Sequence, residues 1–287
     1  MTLEQLTESM PSLGSYAGVM AELENLLQDP NSTLANFGEC IEKDPDLASR
    51  LLKLGNSAFY GFSRRLQTVS EAVSLIGIQQ LQALIRASSV IEVFEGIAPR
   101  EVDMPSFWKH SLGCGIAARA LGVARQFPTA DKLFVAGMLH DLGRLVLLGQ
   151  VPGKAAEIFK LYQSRKMLLR EAERTVLGFD HSQIGGELAR KWQFPSNLVS
   201  AIGDHHHPMS GSFFQLESSI VHVADYLVHV MQVGNSGEKY VPPLDERAWE
   251  RVGLSVHVIE TVMRVVDEQV EELQRSFLNA RRSRPRE

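Results

Sequence analysis

The segment FVAGMLHDLGRLVLL, residues 134–148, predicts a helix that is apolar on almost every side and yet carries three ionisable side chains at its centre. These side chains belong to His140, Asp141 and Arg144. Their spacing of three to four residues places them on one narrow helix face. A helix this apolar belongs in a protein interior, where an unpaired charge is very costly. The polar face is therefore expected to border a cavity or to meet buried partners.

Five further ionisable residues lie in similar settings elsewhere in the chain. Each is on or beside a predicted helix, and imidazole and carboxylate groups held on helices are suitable ligands for a first-row divalent metal. They are His110, His181, His205, His206 and Asp225. The pattern predicts a metal site, but local pairing is the alternative, because Asp225 lies three residues after His222 and four before His229.

The composition favours a cytoplasmic protein. The 287 residues are 44% hydrophobic and carry a net charge of −5, which provides no general basic surface for nucleic acid. No apolar run approaches the roughly 20 residues that span a bilayer. The N-terminus MTLEQLTESMPSLG lacks the pattern of a signal peptide. The two cysteines, Cys40 and Cys114, form no CxxC motif. We therefore expect a reduced protein that contacts neither a membrane nor nucleic acid directly.

Helical periodicity extends through most of the chain, and we find no convincing strand pattern, internal repeat or glycine-rich phosphate loop. The predicted class is all-α. After a connector at 95–105, helices are predicted at about 106–124, 131–149, 154–165, 168–176, 181–193, 195–204, 213–232 and 245–280. The last of these has an apolar face that is expected to pack on the domain, with a homodimer contact as the alternative. The charged tail RRSRPRE (281–287) is expected to be disordered.

Several motifs carry a family resemblance. The block IEKDPDLASRLLKLGNSAFYG (41–61), followed by TVSEAVSLIGIQQLQALI (68–85), resembles the HDOD family, the HD-related output domain of bacterial signalling proteins. Downstream, W-x-H-S at 108–111, HD at 140–141 and AD at 224–225 resemble the His…His-Asp…Asp signature of the HD metal-dependent phosphohydrolase superfamily.

The resemblance covers about residues 11–232 and implies an N-terminal helical subdomain packed on an HD-type helical core. We accordingly predict an N-terminal helical part at 1–103, an HD-like core at 104–232, and a C-terminal helix with a disordered basic tail at 233–287. Members of this family are generally cytoplasmic regulatory modules linked to two-component or cyclic-dinucleotide pathways, with enzymatic activity usually absent or unproven.

The resemblance also implies a metal centre of one or two divalent ions, drawn from Fe, Mn, Mg, Zn and Ni. The residues that match the four HD ligands are His110, His140, Asp141 and Asp225. The histidines that resemble the additional ones of the HD-GYP branch, which acts on cyclic di-GMP, are His181, His205 and His206. The GYP tripeptide itself is absent, since PMSGSFFQ (208–215) follows the histidines. This departure argues against hydrolysis of cyclic di-GMP.

Two functions fit these features. The first is a bacterial signal-transduction regulator with a metal-competent HD pocket. The second is an active metal-dependent phosphohydrolase of a phosphate ester, nucleotide or cyclic dinucleotide. In the enzyme, Asp141 would ligate or bridge the metal and Arg144 would clamp a phosphate through its bidentate guanidinium. Alternatively, Arg144 only neutralises Asp141.

A loop in the N-terminal part is a candidate surface for a signalling protein partner. The stretch LGNSAFYGFSRRLQ (54–67) contains Arg64 and Arg65 beside several aromatic residues, and both residue types are favoured in interfaces. In the alternative, Phe59 and Tyr60 belong to the core and the arginines are solvated. A nucleotide or phosphate is the small ligand that the HD-like part would take.

Overall fold

The computed structural model describes residues 2–11, 13, 17–94, 96–97, 99–211 and 213–278. Within these residues the regular structure is entirely helical, with no β-strand, so the predicted all-α class is confirmed. The helices are α1 (Leu3–Glu8), α2 (Ala17–Gln28), α3 (Leu34–Glu42), α4 (Pro45–Gly55), α5 (Val69–Ile76), α6 (Ile78–Val93), α7 (Met104–Ala124), α8 (Ala130–Leu139), α9 (Leu142–Gln150), α10 (Pro152–Arg165), α11 (Leu169–Leu177), α12 (His181–Lys191), α13 (Ser196–Gly203), α14 (Gln215–Val230), α15 (Glu246–Val252) and α16 (His257–Leu278). The charged tail at 281–287 lies outside the described residues.

The chain divides into two compact units. Of the described residues, 2–11 and the segments within 94–268 form the first unit, whereas 13, 17–93 and 269–278 form the second. The predicted division into 1–103, 104–232 and 233–287 stays a prediction beside this grouping.

Short polar signals set the helix boundaries in the second unit. The side chain of Asp44 accepts hydrogen bonds from two backbone N–H groups at the start of α4, which is the usual role of an N-cap aspartate. The hydroxyl of Thr68 caps α5 in the same way, by accepting from the N–H of Glu71. Gly77 then separates α5 from α6 at φ +89°, a conformation that a side chain would disfavour.

Two of the predicted helices are each split in the structure. The predicted helix at 131–149 becomes α8 and α9, because the chain turns at His140 and Asp141 and the N–H of Arg144 bonds the carbonyl of Asp141, only three residues back. The predicted helix at 245–280 becomes α15 and α16, because Gly253 ends α15 in the left-handed conformation at φ +65°. In both cases the apolar spacing continues across the break, and the prediction of one continuous helix was wrong.

On either side of the turn between α8 and α9, a glycine packs directly against the backbone of another segment. A Cβ at Gly137 would lie 2.7 Å from the carbonyl oxygen of Cys114 on α7, and a Cβ at Gly143 would lie 2.0 Å from the carbonyl oxygen of His181. Since real Cβ atoms do not come this close to backbone oxygens, only glycine fits either position. The two glycines allow α7, the turn and the start of α12 to meet.

The stretch from Ala130 to Gln150 is long and apolar enough to cross a membrane by length and composition alone. This finding differs from the prediction that no run approaches that length. However, 89% of its most apolar 18-residue window is buried inside the fold, as in the core helix of a water-soluble protein.

Candidate metal centre

The seven predicted ligands converge in the first unit, although they come from separate parts of the chain. One is on α7, two are in the turn between α8 and α9, one begins α12, two follow α13 and one is on α14. Their exposed fractions are 1% for His110, 0% for His140, 1% for Asp141, 0% for His181, 0% for His205, 7% for His206 and 3% for Asp225. The sequence prediction assigned these residues to one centre, and the structure brings all seven together.

The first group of donors faces the carboxylate of Asp225. Its Oδ1 lies 3.2 Å from Nε2 of His110 and 3.3 Å from Nε2 of His140. The other carboxylate, that of Asp141, approaches the same two imidazoles with Oδ2, at 3.7 Å and 3.3 Å respectively. Two carboxylates and two imidazoles thus surround one small volume.

The second group adjoins the first and contacts the other oxygen of Asp141. Its Oδ1 is 3.1 Å from Nε2 of His181, and that nitrogen is 2.9 Å from Nε2 of His206. The ligand nitrogens of His181, His205 and His206 all lie within 4.8 Å of one another. Asp141 therefore presents one oxygen to each group, an arrangement suited to one or two ions.

Backbone hydrogen bonds fix which nitrogen of two histidines can act as a ligand. Nδ1 of His140 lies 2.7 Å from the carbonyl oxygen of Gly137, and Nδ1 of His205 lies 2.7 Å from that of Ile202. Because a carbonyl can only accept, each Nδ1 must carry the proton. In the neutral imidazole the lone pair is then on Nε2, which faces the centre, as in metal-binding histidines.

Glu173 on α11 is a residue of the site that the sequence prediction missed. It is 1% exposed, and its Oε2 accepts hydrogen bonds from the backbone N–H of His181 at 2.8 Å and from Nδ1 of the same residue at 2.6 Å. This pair of bonds directs Nε2 of His181 towards the centre. One sequence feature indicates that Glu173 is buried: it follows Leu169, an apolar and buried residue, by four positions and therefore shares its helix face.

Arg144 is buried and committed to groups of the protein. Its Nη1 lies 2.9 Å from Oδ2 of Asp141 and donates to the hydroxyl of Ser236, and its Nε lies 3.8 Å from Oε1 of Glu173. These are the contacts of the structural alternative, in which the guanidinium neutralises Asp141. Ser236 is fully buried and was also missed by the sequence prediction.

The alternative of local pairing for Asp225 is realised in part. His229, one turn along α14, places Nδ1 2.9 Å from Oδ1 of Asp225. His222 is engaged elsewhere, since its Nδ1 donates to the carbonyl of His205 at 2.8 Å and its Nε2 accepts from the N–H of Asp245 at 2.9 Å. Asp225 therefore has both a local partner and the two more distant imidazoles.

Burial and charge shift the pKa values of these groups strongly. Burial lowers the pKa of His110 to about 4 and that of His205 to about 3. Burial also disfavours the imidazolium of His181, but the carboxylates of Glu173 and Asp141 outweigh it and raise the pKa to about 9. For Asp141, burial disfavours the carboxylate, yet the Arg144 guanidinium holds its pKa well below the usual range.

The donor set fits a divalent cation. Several polar atoms that face the centre lie close to oppositely charged groups but make no well-aligned hydrogen bond within the described part of the chain: Nε2 of His110, Nε2 of His140, Nε2 of His205, Oδ1 of Asp141 and Oδ1 of Asp225. Buried polar atoms without partners are rare and costly. Histidines that bind a metal must be neutral. In that state the carboxylates of Asp141, Asp225 and Glu173 outnumber the guanidinium of Arg144 by two charges. A divalent ion would supply both the missing charge and the missing contacts.

The predicted partner-binding arginines lie in the second unit. Arg64 has a side chain that is 69% exposed and 3.6 Å from Glu71, and Arg65 is exposed on the rim of a cleft of about 970 Å³ that also includes Lys53. Phe59 is only 3% exposed, in agreement with the alternative that it belongs to the core. The exposure of the arginines is compatible with either a docking surface or a solvated loop.

Comparison with known proteins identifies the family of the chain. The model of the HDOD domain matches residues 13–208, more than half of the chain. This chain belongs to the HDOD family. Its fold is similar to that of an HDOD domain protein of unknown function from Geobacter sulfurreducens, with a TM-score of 0.74, 20% identity, and coverage of 97% of this chain and 96% of the other.

Two further similarities extend the comparison of this HDOD chain. A proposed phosphohydrolase from Shewanella amazonensis SB2B has a TM-score of 0.74 at 24% identity, with 96% of this chain and 97% of the other covered. An uncharacterized protein of Treponema pallidum (strain Nichols) is 26% identical over 202 residues, which make up 70% of this chain but 38% of that protein. The match thus covers less than half the length of this relative. At these identities the solved structures establish the fold.

Proposed function

We propose that this chain is a bacterial regulatory HDOD module of the cytoplasm, in which an HD-type pocket holds one or two divalent metal ions. The observation that carries the proposal is the burial of the centre: seven donors converge, and none is more than 7% exposed. A substrate would have to reach groups that this conformation covers, whereas a sensing or structural ion needs only to be held. The predicted ligands His110, His140, Asp141, His181, His205, His206 and Asp225 would hold it.

A metal-dependent phosphohydrolase is the second candidate, and the complete donor set favours it. A bound divalent ion would supply Lewis acidity towards a phosphoryl oxygen. The fold similarity to a proposed phosphohydrolase is compatible with this function. In that case Asp141 would be the group shared between ions, and Arg144 would act by holding Asp141 rather than by clamping phosphate, since its guanidinium already contacts Asp141 and Ser236.

Turnover of the metal-loaded protein separates the two functions. Purified protein is assayed for metal content and for hydrolysis of phosphate monoesters, nucleotides and cyclic dinucleotides, in parallel with Asp141→Ala. The matched control is Asp267→Ala, which removes an exposed carboxylate of α16. A loaded and inert protein supports the regulator. Metal-dependent turnover that Asp141→Ala abolishes and Asp267→Ala leaves intact supports the enzyme, and a protein that takes up no metal contradicts both.

A signalling protein is the partner we propose, with the loop that carries Arg64 and Arg65 as its docking surface. The double variant Arg64→Glu and Arg65→Glu should change the free energy of unfolding by no more than about 0.5 kcal/mol, because exposed side chains contribute little to stability. Urea unfolding measures this change. A variant that unfolds under native conditions would show that the loop has a structural role instead.

A further inference from the structure

Arg170 on α11 is a partly buried cation without a carboxylate partner. Its Nη1 donates to the backbone carbonyl of His206 at 3.3 Å, and no carboxylate of the described residues lies within ion-pair distance of it. Glu171, Asp180 and Asp225 are the acidic groups that act on it from farther away. Partial removal of a guanidinium from water costs free energy unless an anion or acceptor replaces the water. Arg170 therefore has donors left for an external anion.

The other arginines near the centre are already engaged. Arg174, one turn along the same helix, contacts Asp180 with Nε at 2.8 Å and Nη2 at 2.6 Å. Arg144 is bound to Asp141 and is 4% exposed. Of these three arginines, Arg170 is thus the one whose guanidinium is not paired with a carboxylate.

The position of Arg170 connects it to the candidate metal centre. Among the residues that the structure describes, it donates to the backbone carbonyl of His206, whose side chain is the most exposed of the seven predicted ligands at 7%. The next residue, His207, is exposed, and its Nε2 lies 2.7 Å from Nη2 of Arg174. An anion held by Arg170 would therefore lie at the His206 edge of the centre.

We propose that Arg170 recognises the phosphate group of a ligand at the His206 edge of the metal centre. A guanidinium binds phosphate oxygens through parallel N–H donors, and such charge-assisted bonds are among the strongest that side chains form. The assignment rests on the proposed regulatory function, because the bound ion of that module adjoins the subsite. The sequence prediction assigned the phosphate contact to Arg144, which is buried. The present proposal assigns it to Arg170, which solvent can reach.

Calorimetric titration of the Mn²⁺-loaded protein with inorganic phosphate, and separately with AMP, tests the assignment. Arg170→Gln should weaken binding at least about tenfold, the loss of one charge-assisted contact, while Arg170→Lys should retain part of the affinity. The matched control is Arg165→Gln, which removes an exposed arginine at the end of α10. Binding of both probes indicates a subsite for phosphate itself, and binding of AMP alone indicates a nucleotide.

Metal content of every variant is measured in the same samples. Arg170→Gln that keeps its metal and loses phosphate supports the assignment. Phosphate affinity unchanged in Arg170→Gln, equal losses in Arg165→Gln, simultaneous loss of metal and phosphate, or absence of binding to either probe by the parent would each overturn it. A parent protein without metal contradicts the proposed function instead, so the two failures are distinguishable.

Discussion

Replacing Glu173 by glutamine should weaken metal binding without unfolding the protein. The carboxylate accepts two hydrogen bonds from His181, at 2.8 Å to the backbone N–H and at 2.6 Å to Nδ1. An amide has nearly the same shape but no charge, and its nitrogen cannot accept. The amide oxygen could still accept from the imidazole, but a charge-assisted bond of about 1.5–3 kcal/mol would become a neutral bond of about 0.5–1.5 kcal/mol. Nε2 would then be held towards the centre less firmly.

The same magnitude follows from metal proteins in general. Groups that orient a metal-binding histidine typically contribute 10- to 100-fold to affinity, or about 1.4–2.8 kcal/mol. We therefore expect Glu173→Gln to raise the dissociation constant for Mn²⁺ or Zn²⁺ by 10- to 100-fold. Competition against a fluorescent chelator measures the constant, and urea unfolding in excess chelator measures the metal-free fold.

A matched control tests whether the effect on metal affinity depends on where Glu173 lies or only on the loss of one negative charge. Glu157→Gln removes one carboxylate from α10, where Glu157 is exposed and pairs with Lys154 at 2.8 Å. Its metal affinity should equal that of the parent. If Glu173→Gln also binds metal within threefold of the parent, His181 is not oriented by this carboxylate and the interpretation of the second donor group is wrong.

Three further predictions concern the same centre. Asp225→Ala should weaken metal retention about tenfold or more, and unchanged metal content on elemental analysis would reject Asp225 as a ligand. Gly143→Ala should destabilise the fold by about 1–3 kcal/mol in urea unfolding, because its Cβ would lie 2.0 Å from the carbonyl oxygen of His181. The control Gly153→Ala should be nearly neutral, because a Cβ there meets nothing within 4 Å. Equal losses of stability in the two variants would refute the close approach at Gly143. The pKa of His181 is raised from 6.5 to about 9, so its contribution to metal-free stability is full below about pH 6.5 and is lost as the pH rises to about 9. Metal affinity should increase over that interval because the competing proton is released, and a flat affinity profile would contradict this linkage.

The sequence was sufficient for the helical class and for naming seven residues that the structure brings together. The helical class could be predicted because helical spacing is a local property of the sequence. The histidines and aspartates could be identified because they occur in motifs whose order along the chain matches that of a known family. His140 and Asp141 were found in this way although the helix that carries them is interrupted. The break itself was invisible, because apolar spacing continues through α8 and α9 and the turn depends on contacts with other helices.

The residues that support the ligands could not be found from local patterns. Glu173 belongs to the site only because α11 packs beside the start of α12, and Ser236 only because the segment after α14 passes Arg144. A buried glutamate on an amphipathic helix and a serine in a loop are ordinary in sequence. Their roles depend on distances between segments that are far apart along the chain.

The central position of Asp141 has a consequence for how ions would enter the protein. One oxygen faces His110 and His140, and the other faces His181. A cation attracted to either oxygen would withdraw electron density from its twin and fix the orientation of the whole carboxyl plane. Binding of one ion beside each oxygen of Asp141 would therefore be thermodynamically linked. The cooperativity would be positive if preorganisation of the carboxylate outweighs repulsion between the two ions, and negative in the opposite case.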